Sequence, residues 1–247
     1  MFKKGVVGLA TTLFSVMAMA DNCELSADFV GATYKMTQVT HGQKETKKSN
    51  TLKIYRKDGL VAHLYPERNY SEVWNQVRDG KVRPVRYFDA DKRAIEYAPG
   101  DINKGKGDSD WLSKYQLIDL DSVPGLKKVS ESGEGCGRVA TYKSETDAGV
   151  TQIEWLPVLR LVKNFSFDGK NLHNEWQMLE QITDDKEIAE VFASREAYIS
   201  TDYADIGDNE TDPFFRKLIN LGFISHGASG FYNAEGEVME GGHGHHH

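Results

Sequence analysis

The chain has 247 residues, 39% of them hydrophobic and 27% charged, with a formal net charge of −7 at pH 7 and a mean hydropathy of −0.53. That length supports one large domain or two small ones around a real core, and the modest hydropathy excludes a polytopic membrane protein. With 11% aromatics and six prolines, global disorder is excluded too, and the acidic balance speaks against a dedicated nucleic-acid binder.

The first twenty residues read as an export signal. Lys3 and Lys4 precede an apolar stretch over residues 5–17, and Ala18, Met19 and Ala20 supply the small-x-small pattern of a cleavage site. The run is short for a stable membrane anchor, so cleavage after Ala20 and a periplasmic or secreted protein are expected. Removal of residues 1–20 leaves 227 residues with a formal charge of −9. In an oxidising compartment the only two cysteines, Cys23 and Cys136, are expected to form a disulfide. The alternatives are two free thiols or metal ligands.

Residues 21–183 read as an antiparallel β domain. Residues 51–56 alternate with period two, Asp58 and Gly59 mark a hairpin turn, and residues 60–65 return. Asp79 and Gly80 make a second such turn before residues 82–88, and Asp89 to Asp91 a third before residues 94–97. Over residues 66–78 a short helix competes with a strand, because Tyr70, Val73, Trp74 and Val77 fall at helical spacing. Residues 99–110 are a loop by composition. Residues 111–120 fit a short helix or a strand. Strands are expected again from Arg138, over residues 139–144, 150–156, 158–167 and 172–182, with Pro157 at an edge or a bulge.

Residues 184–222 change character. Asp184 and Glu187 make a capping box, and Ile188, Val191, Phe192 and Ile199 share one face of an amphipathic helix over residues 185–200. A second helix has Asp212 as N-cap, Pro213 at its first position and Gly222 as its stop. Residues 223–247 are a glycine-rich tail that ends in histidines. The expected fold is therefore α+β: a curved, predominantly antiparallel meander with two C-terminal helices packed on it.

This order resembles the periplasmic carriers of lipoproteins and related lipid-binding modules. The resemblance lies in a signal peptide, a long meander, an apolar concave face and a helix, over residues 33–200. It implies binding or carriage of an apolar small molecule or lipid in a gap between sheet and helix, not catalysis.

Charge is unevenly distributed. Between Lys35 and Arg93 there are fourteen Lys and Arg against seven Asp and Glu; between Asp184 and Asp212 there are ten acidic residues against two basic. The two blocks either attract each other within the fold or form faces for an exported protein partner. Tyr55, Tyr65, Tyr70, Trp74 and Tyr87 interleave with the basic residues, and core or sheet packing explains them better than a face for anionic lipid or nucleic acid does.

Two stretches suit metals. His243, His245, His246 and His247 crowd a glycine-flanked terminus, and imidazoles suit Zn, Cu or Ni; a tag remnant or an idle tail are the alternatives. Asp202, Asp205, Asp208 and Glu210 supply hard oxygens for Ca, although the EF-hand order is not met. No hydrolase, Walker or dinucleotide motif appears; His226 sits in a Gly/Ser loop, His63 reads as a partly buried strand residue, and His41 and His173 lack partners at ligand spacing. An enzyme of unrecognised type would centre on His226 and the acidic loop.

Overall fold

Strands form where side chains alternate and where turn chemistry lets the chain double back. The structure is a computed structural model that describes residues 23–77, 81–99, 101, 111–209 and 211–221. The expected signal peptide, the turn at Asp79 and Gly80, most of the loop before Trp111, the stop at Gly222, His226 and the histidine tail lie outside them. β1 (Phe29–Thr40) pairs along its whole length with β2 (Thr46–Lys57), from Phe29 opposite Lys57 to Thr40 opposite Thr46. Asp58 and Gly59 then turn the chain with φ of 49° and 80°, the left-handed pair that a two-residue primed hairpin requires. β3 (Leu60–Tyr65), β4 (Tyr70–Gln76), β5 (Val82–Phe88) and β6 (Arg93–Glu96) continue the meander. The ambiguity over residues 66–78 resolves as a 3-10 turn, Pro66–Arg68, followed by strand β4. β4 has a strand on each side, and that pairing outweighs its helical spacing.

After α1 (Trp111–Gln116) come β7 (Lys127–Ser132), β8 (Val139–Thr146), β9 (Gly149–Leu156), β10 (Leu161–Gly169) and β11 (Leu172–Ile182). β11 returns to pair with β1. α2 (Asp185–Glu196), β12 (Ile199–Asp202) and α3 (Pro213–Asn220) close the chain. The result is one twelve-stranded sheet in the order β12-β6-β5-β4-β3-β2-β1-β11-β10-β9-β8-β7. All pairings are antiparallel except β12 with β6. The expected α+β class, mostly antiparallel, is what the chain adopts. Among the described residues no helix is long and apolar enough to cross a membrane.

Several expected details differ. Pro157 lies in the turn between β9 and β10 rather than in a strand. β7 escapes the period-two signal because all six of its residues are exposed at the sheet edge. The first C-terminal helix ends at Glu196, not near 200. Ile199 begins an edge strand opposite Arg93 and is 66% exposed, because the open edge of β6 offers backbone partners that a longer helix would forgo.

The two faces of the sheet carry separate cores. On one face Tyr34, Ile54, Val61, Trp74, Phe88 and Ile95 pack with Ile153 and Trp155, and α1 and α3 cover them with Tyr115, Phe214, Phe215 and Leu218. On the other face Tyr55, Ala62, Val73 and Ile182 meet Ile188 and Phe192 of α2. The two longer helices thus lie on opposite faces. Gly31 is required under α2, where a Cβ would come within 2.9 Å of the Tyr55 ring. The Asp184 carboxylate caps α2 by accepting from the Glu187 N–H at 2.8 Å, while Glu187 Oε1 accepts from the Tyr55 hydroxyl at 2.8 Å.

The first face is concave. The β9–β10 corner folds back over it: the Tyr34 hydroxyl donates to Val162 O at 2.7 Å, and buried Arg56 donates to Leu159 O and Arg160 O at 2.8 and 2.7 Å. β10 lies three strands from β2. Three inter-strand spacings, about 14 Å on a flat sheet, exceed the reach of an arginine, so the sheet curls. The Cys23–Cys136 bridge, with its Cα atoms 4.9 Å apart, ties the N-terminal segment to the turn before β8 beneath this corner. The disulfide fits an oxidising compartment and hence export.

Candidate functional site

A cavity of about 640 Å³ opens on the concave face between the sheet and α1, within the range of small-molecule sites. Its floor comes from register. Met36 on β1 lies opposite Asn50 on β2 and Trp176 on β11, and Tyr34 one step along aligns Leu52. Met36, Leu52, Trp176 and Leu117 line the apolar part. Trp176 is held against Phe165 at a centroid distance of 4.5 Å. Lys48 on β2, Arg68 in the 3-10 turn and Lys114 on α1 bring positive charge to the same cavity.

α1 forms one wall, and buried polar groups hold it there. Arg56 lies 4.0 Å from the Tyr115 ring centroid, and the Tyr115 hydroxyl donates to Ala27 O at 2.9 Å. On the cavity side His63 Nε2 lies 2.8 Å from Lys114 O. A carbonyl only accepts, so Nε2 carries the proton and donates. Burial pushes the His63 pKa down to about 4, with the Lys114 ammonium acting in the same direction and the Glu72 carboxylate and Arg56 as further charged neighbours.

This clasp has a pH signature. The folded protein keeps His63 neutral, whereas an unfolded chain protonates it near the ordinary value of about 6.5. Its contribution is therefore complete above pH 6.5 and is lost as the pH falls towards 4, by about 3 kcal/mol in all. In His63→Gln, which retains a donor to Lys114 O, the unfolding free energy should vary less between pH 7.5 and 4.5 than in the wild type. Urea titrations at the two pH values measure the difference, and equal changes in the two proteins would remove His63 from this role.

His63 also heads a buried row that sequence reasoning did not find. His63 pairs across the strands with Glu72, and Glu72 with Arg86. Arg86 Nε donates to Glu72 Oε1 at 2.9 Å, and the Tyr70 hydroxyl donates to the same oxygen at 2.5 Å. Burial would raise the Glu72 pKa, but Arg86 and then Tyr70 outweigh it and hold the carboxyl below its usual value. The signal, charged residues on alternate positions of neighbouring strands, becomes visible only once the register is known.

The sequence-predicted site residues are dispersed. His41 Nδ1 pairs with Glu45 at the β1–β2 hairpin, and His173 Nδ1 with Asp168 at 2.6 Å near the β10–β11 turn. The Asp202 carboxylate accepts from the Ala204 N–H at 3.3 Å, and Asp205 contributes its carbonyl to Asn209. Glu210 and the side chain of Asp208 lie outside the described residues, as do His243, His245, His246 and His247. Among the described residues no group of three His, Cys, Asp or Glu is placed to hold a metal. The charge blocks meet in part: Arg93 binds the Asp212 carboxylate at 3.1 Å. Two other pairs run the opposite way, Arg195 of α2 to Asp89 and Lys217 of α3 to Asp91.

No protein-family description matches the sequence, and no curated protein matches it. Solved structures share the layout. One is a putative outer membrane lipoprotein-sorting protein domain from Vibrio parahaemolyticus, at 8% identity and a TM-score of 0.31, over 69% of this chain and 92% of that one. Another is the Pseudomonas aeruginosa MucA/MucB complex, at 13% identity and 0.30, over 66% of this chain and 56% of that one. A DUF1329 family protein from Desulfovibrio piger matches at 10% identity and 0.30, over 64% and 86%. The likeness is one of layout, and the functional reading below rests on the cavity.

Proposed function

We propose that this is an exported, periplasmic binding or carrier protein, cleaved after Ala20, whose concave face takes the apolar part of a ligand. The observation that carries the reading is the cavity beneath α1, with Met36, Leu52, Leu117 and Trp176 in its lining. The expected gap lay under the long amphipathic helix. That helix packs on the far face, and the shorter α1 covers the opening instead. A cavity with apolar residues on its floor and polar residues around them, built on a sheet, suits ligand binding.

N-phenyl-1-naphthylamine, a neutral apolar fluorophore, should brighten on binding the protein. Met36→Arg, which puts a charge on the cavity floor, should weaken this by about tenfold or more without loss of the folded circular dichroism. A wild-type protein that leaves the dye dark would overturn the reading. As a second element of the same proposal, the terminal His243, His245, His246 and His247 capture Zn, Cu or Ni. Native mass spectrometry should show a zinc adduct that disappears when these four residues are changed to Ala, and an unchanged adduct would exclude the tail.

A further inference from the structure

We infer that the cavity selects an acyl amphiphile with an anionic headgroup; this rests on the carrier reading and names its ligand class. Lys48, Arg68 and Lys114, from three separate elements, line one cavity, and no Asp or Glu is among its described lining residues; the Lys114 ammonium itself lies 4.4 Å from the Trp74 ring centroid. The apolar floor and the basic side chains together match a molecule with a hydrocarbon part and a negative end.

Two described carboxylates near the region accept other hydrogen bonds, while Arg68 is a charged neighbour of Glu67 and Lys114 of Glu72. Glu72, across from His63, is bound by Arg86 and Tyr70. Glu67, next to Arg68, accepts from the Thr51 N–H at 3.0 Å. That second contact is informative in itself. β2 pairs with β3 only from Lys53 onward, so the preceding stretch of β2 offers its backbone edge to the cavity mouth. The Thr51 N–H points off that edge and already draws a carboxylate. The Ser49 N–H, two residues away, points the same way, and Ser49 lines the cavity beside Lys48. A phosphate or carboxylate at this position would meet an amide donor and cationic side chains together, the arrangement that gives charge-assisted hydrogen bonds their strength.

The excess of positive charge in the meander is thereby explained in part. Arg56 and Arg86 are consumed inside the fold and Arg93 on Asp212. Lys44, Lys47 and Lys48 lie exposed along the β1–β2 hairpin, where they raise the local potential felt by an approaching anion.

Four probes of defined chemistry separate the components, each used below its micelle concentration in calorimetric titrations of the full chain. They are dodecyl phosphate, dodecyl maltoside, dodecyltrimethylammonium and inorganic phosphate. Dodecyl phosphate should bind about tenfold more tightly than the maltoside, the cationic detergent most weakly, and the advantage of the phosphate should shrink as salt is added. Lys48 and Arg68 are exposed, so the double variant Lys48→Gln, Arg68→Gln should keep its fold. It should lose most of the advantage that dodecyl phosphate has over the maltoside. Equal binding of phosphate and maltoside would overturn the headgroup inference and leave the carrier reading standing. Inorganic phosphate binding as tightly as dodecyl phosphate would show an anion site without a chain and would overturn it as well. Failure of every dodecyl probe to bind would overturn the carrier reading together with this inference.

Discussion

Arg86→Met should lower the unfolding free energy by about 3–5 kcal/mol, the usual cost of stranding one member of a buried ion pair. Glu72 is 2% exposed and Arg86 5%, so the carboxylate left behind would have no water and would lose its hydrogen-bonded counter-charge. The Tyr70 hydroxyl would remain as a hydrogen-bond donor to it, and Lys114 and His63 are its other charged or titratable neighbours. The pair also makes a specific prediction about non-additivity. The double variant Glu72→Gln, Arg86→Met should be less destabilised than the sum of its two singles, because the second change removes the charge that the first one strands. Urea unfolding of all four proteins closes the cycle. A loss below about 1 kcal/mol for the single arginine variant would show that water reaches Glu72 and that the row is not a buried network.

The second large effect is expected at the disulfide. Cys23 and Cys136 are 113 residues apart, and closing a loop near that length restricts the unfolded chain by about 4–5 kcal/mol in the chain-entropy account. The native state has its own reason to need the bridge. Cys23 and Leu25 pack into the main core with Cys136, and Ala27 O accepts from both Arg56 and Tyr115. A segment released at Cys23 would loosen the acceptor that helps seat α1, and with it the wall of the cavity. Cys23→Ser with Cys136→Ser should therefore lose about 4 kcal/mol and bind the naphthylamine dye more weakly at temperatures where it remains folded. Thermal melts with and without reductant test the first part, since reductant should bring the wild type down to the variant. A wild type indifferent to reductant at its unfolded midpoint would remove the bridge as a source of stability.

Local chemistry made parts of this structure readable in advance. Asp58 and Gly59 demanded the β2–β3 hairpin because two successive left-handed residues have few other uses. Asp212 followed by Pro213 set the start of α3: its carboxylate accepts from the Phe214 N–H at 2.8 Å, and Pro213 lacks a donor where none is needed. Such signals are legible because the group that satisfies them lies within three residues. Pairing the cysteines followed from having only two. β7 stayed invisible for the opposite reason. Its residues are all exposed, and a strand that buries no side chain leaves no period in the sequence.

The site was legible only as a class. Hydrophobic alternation announced an apolar face and a helix to cover it, and the order of elements announced a carrier-like layout. Alternation says which residues turn inward, but not towards which of two cores. Along β2 both Ile54 and Tyr55 are buried, one under the concave face and one under α2, so the same strand serves both. The choice of α1 over α2 as the cavity wall depended on contacts between residues more than fifty positions apart, such as His63 with Lys114 and Arg56 with Leu159.

What the sequence determined by itself was therefore local or compositional: the turns, the helix caps, the antiparallel class and the cysteine pair. What only the tertiary structure decided was the curl of the sheet, the side on which each helix lies, the buried His63–Glu72–Arg86 row and the basic, apolar-floored cavity. The division has one physical cause. A turn or a cap is completed by neighbouring atoms, whereas a cavity is the space left when distant strands are brought into register, and no residue carries it alone.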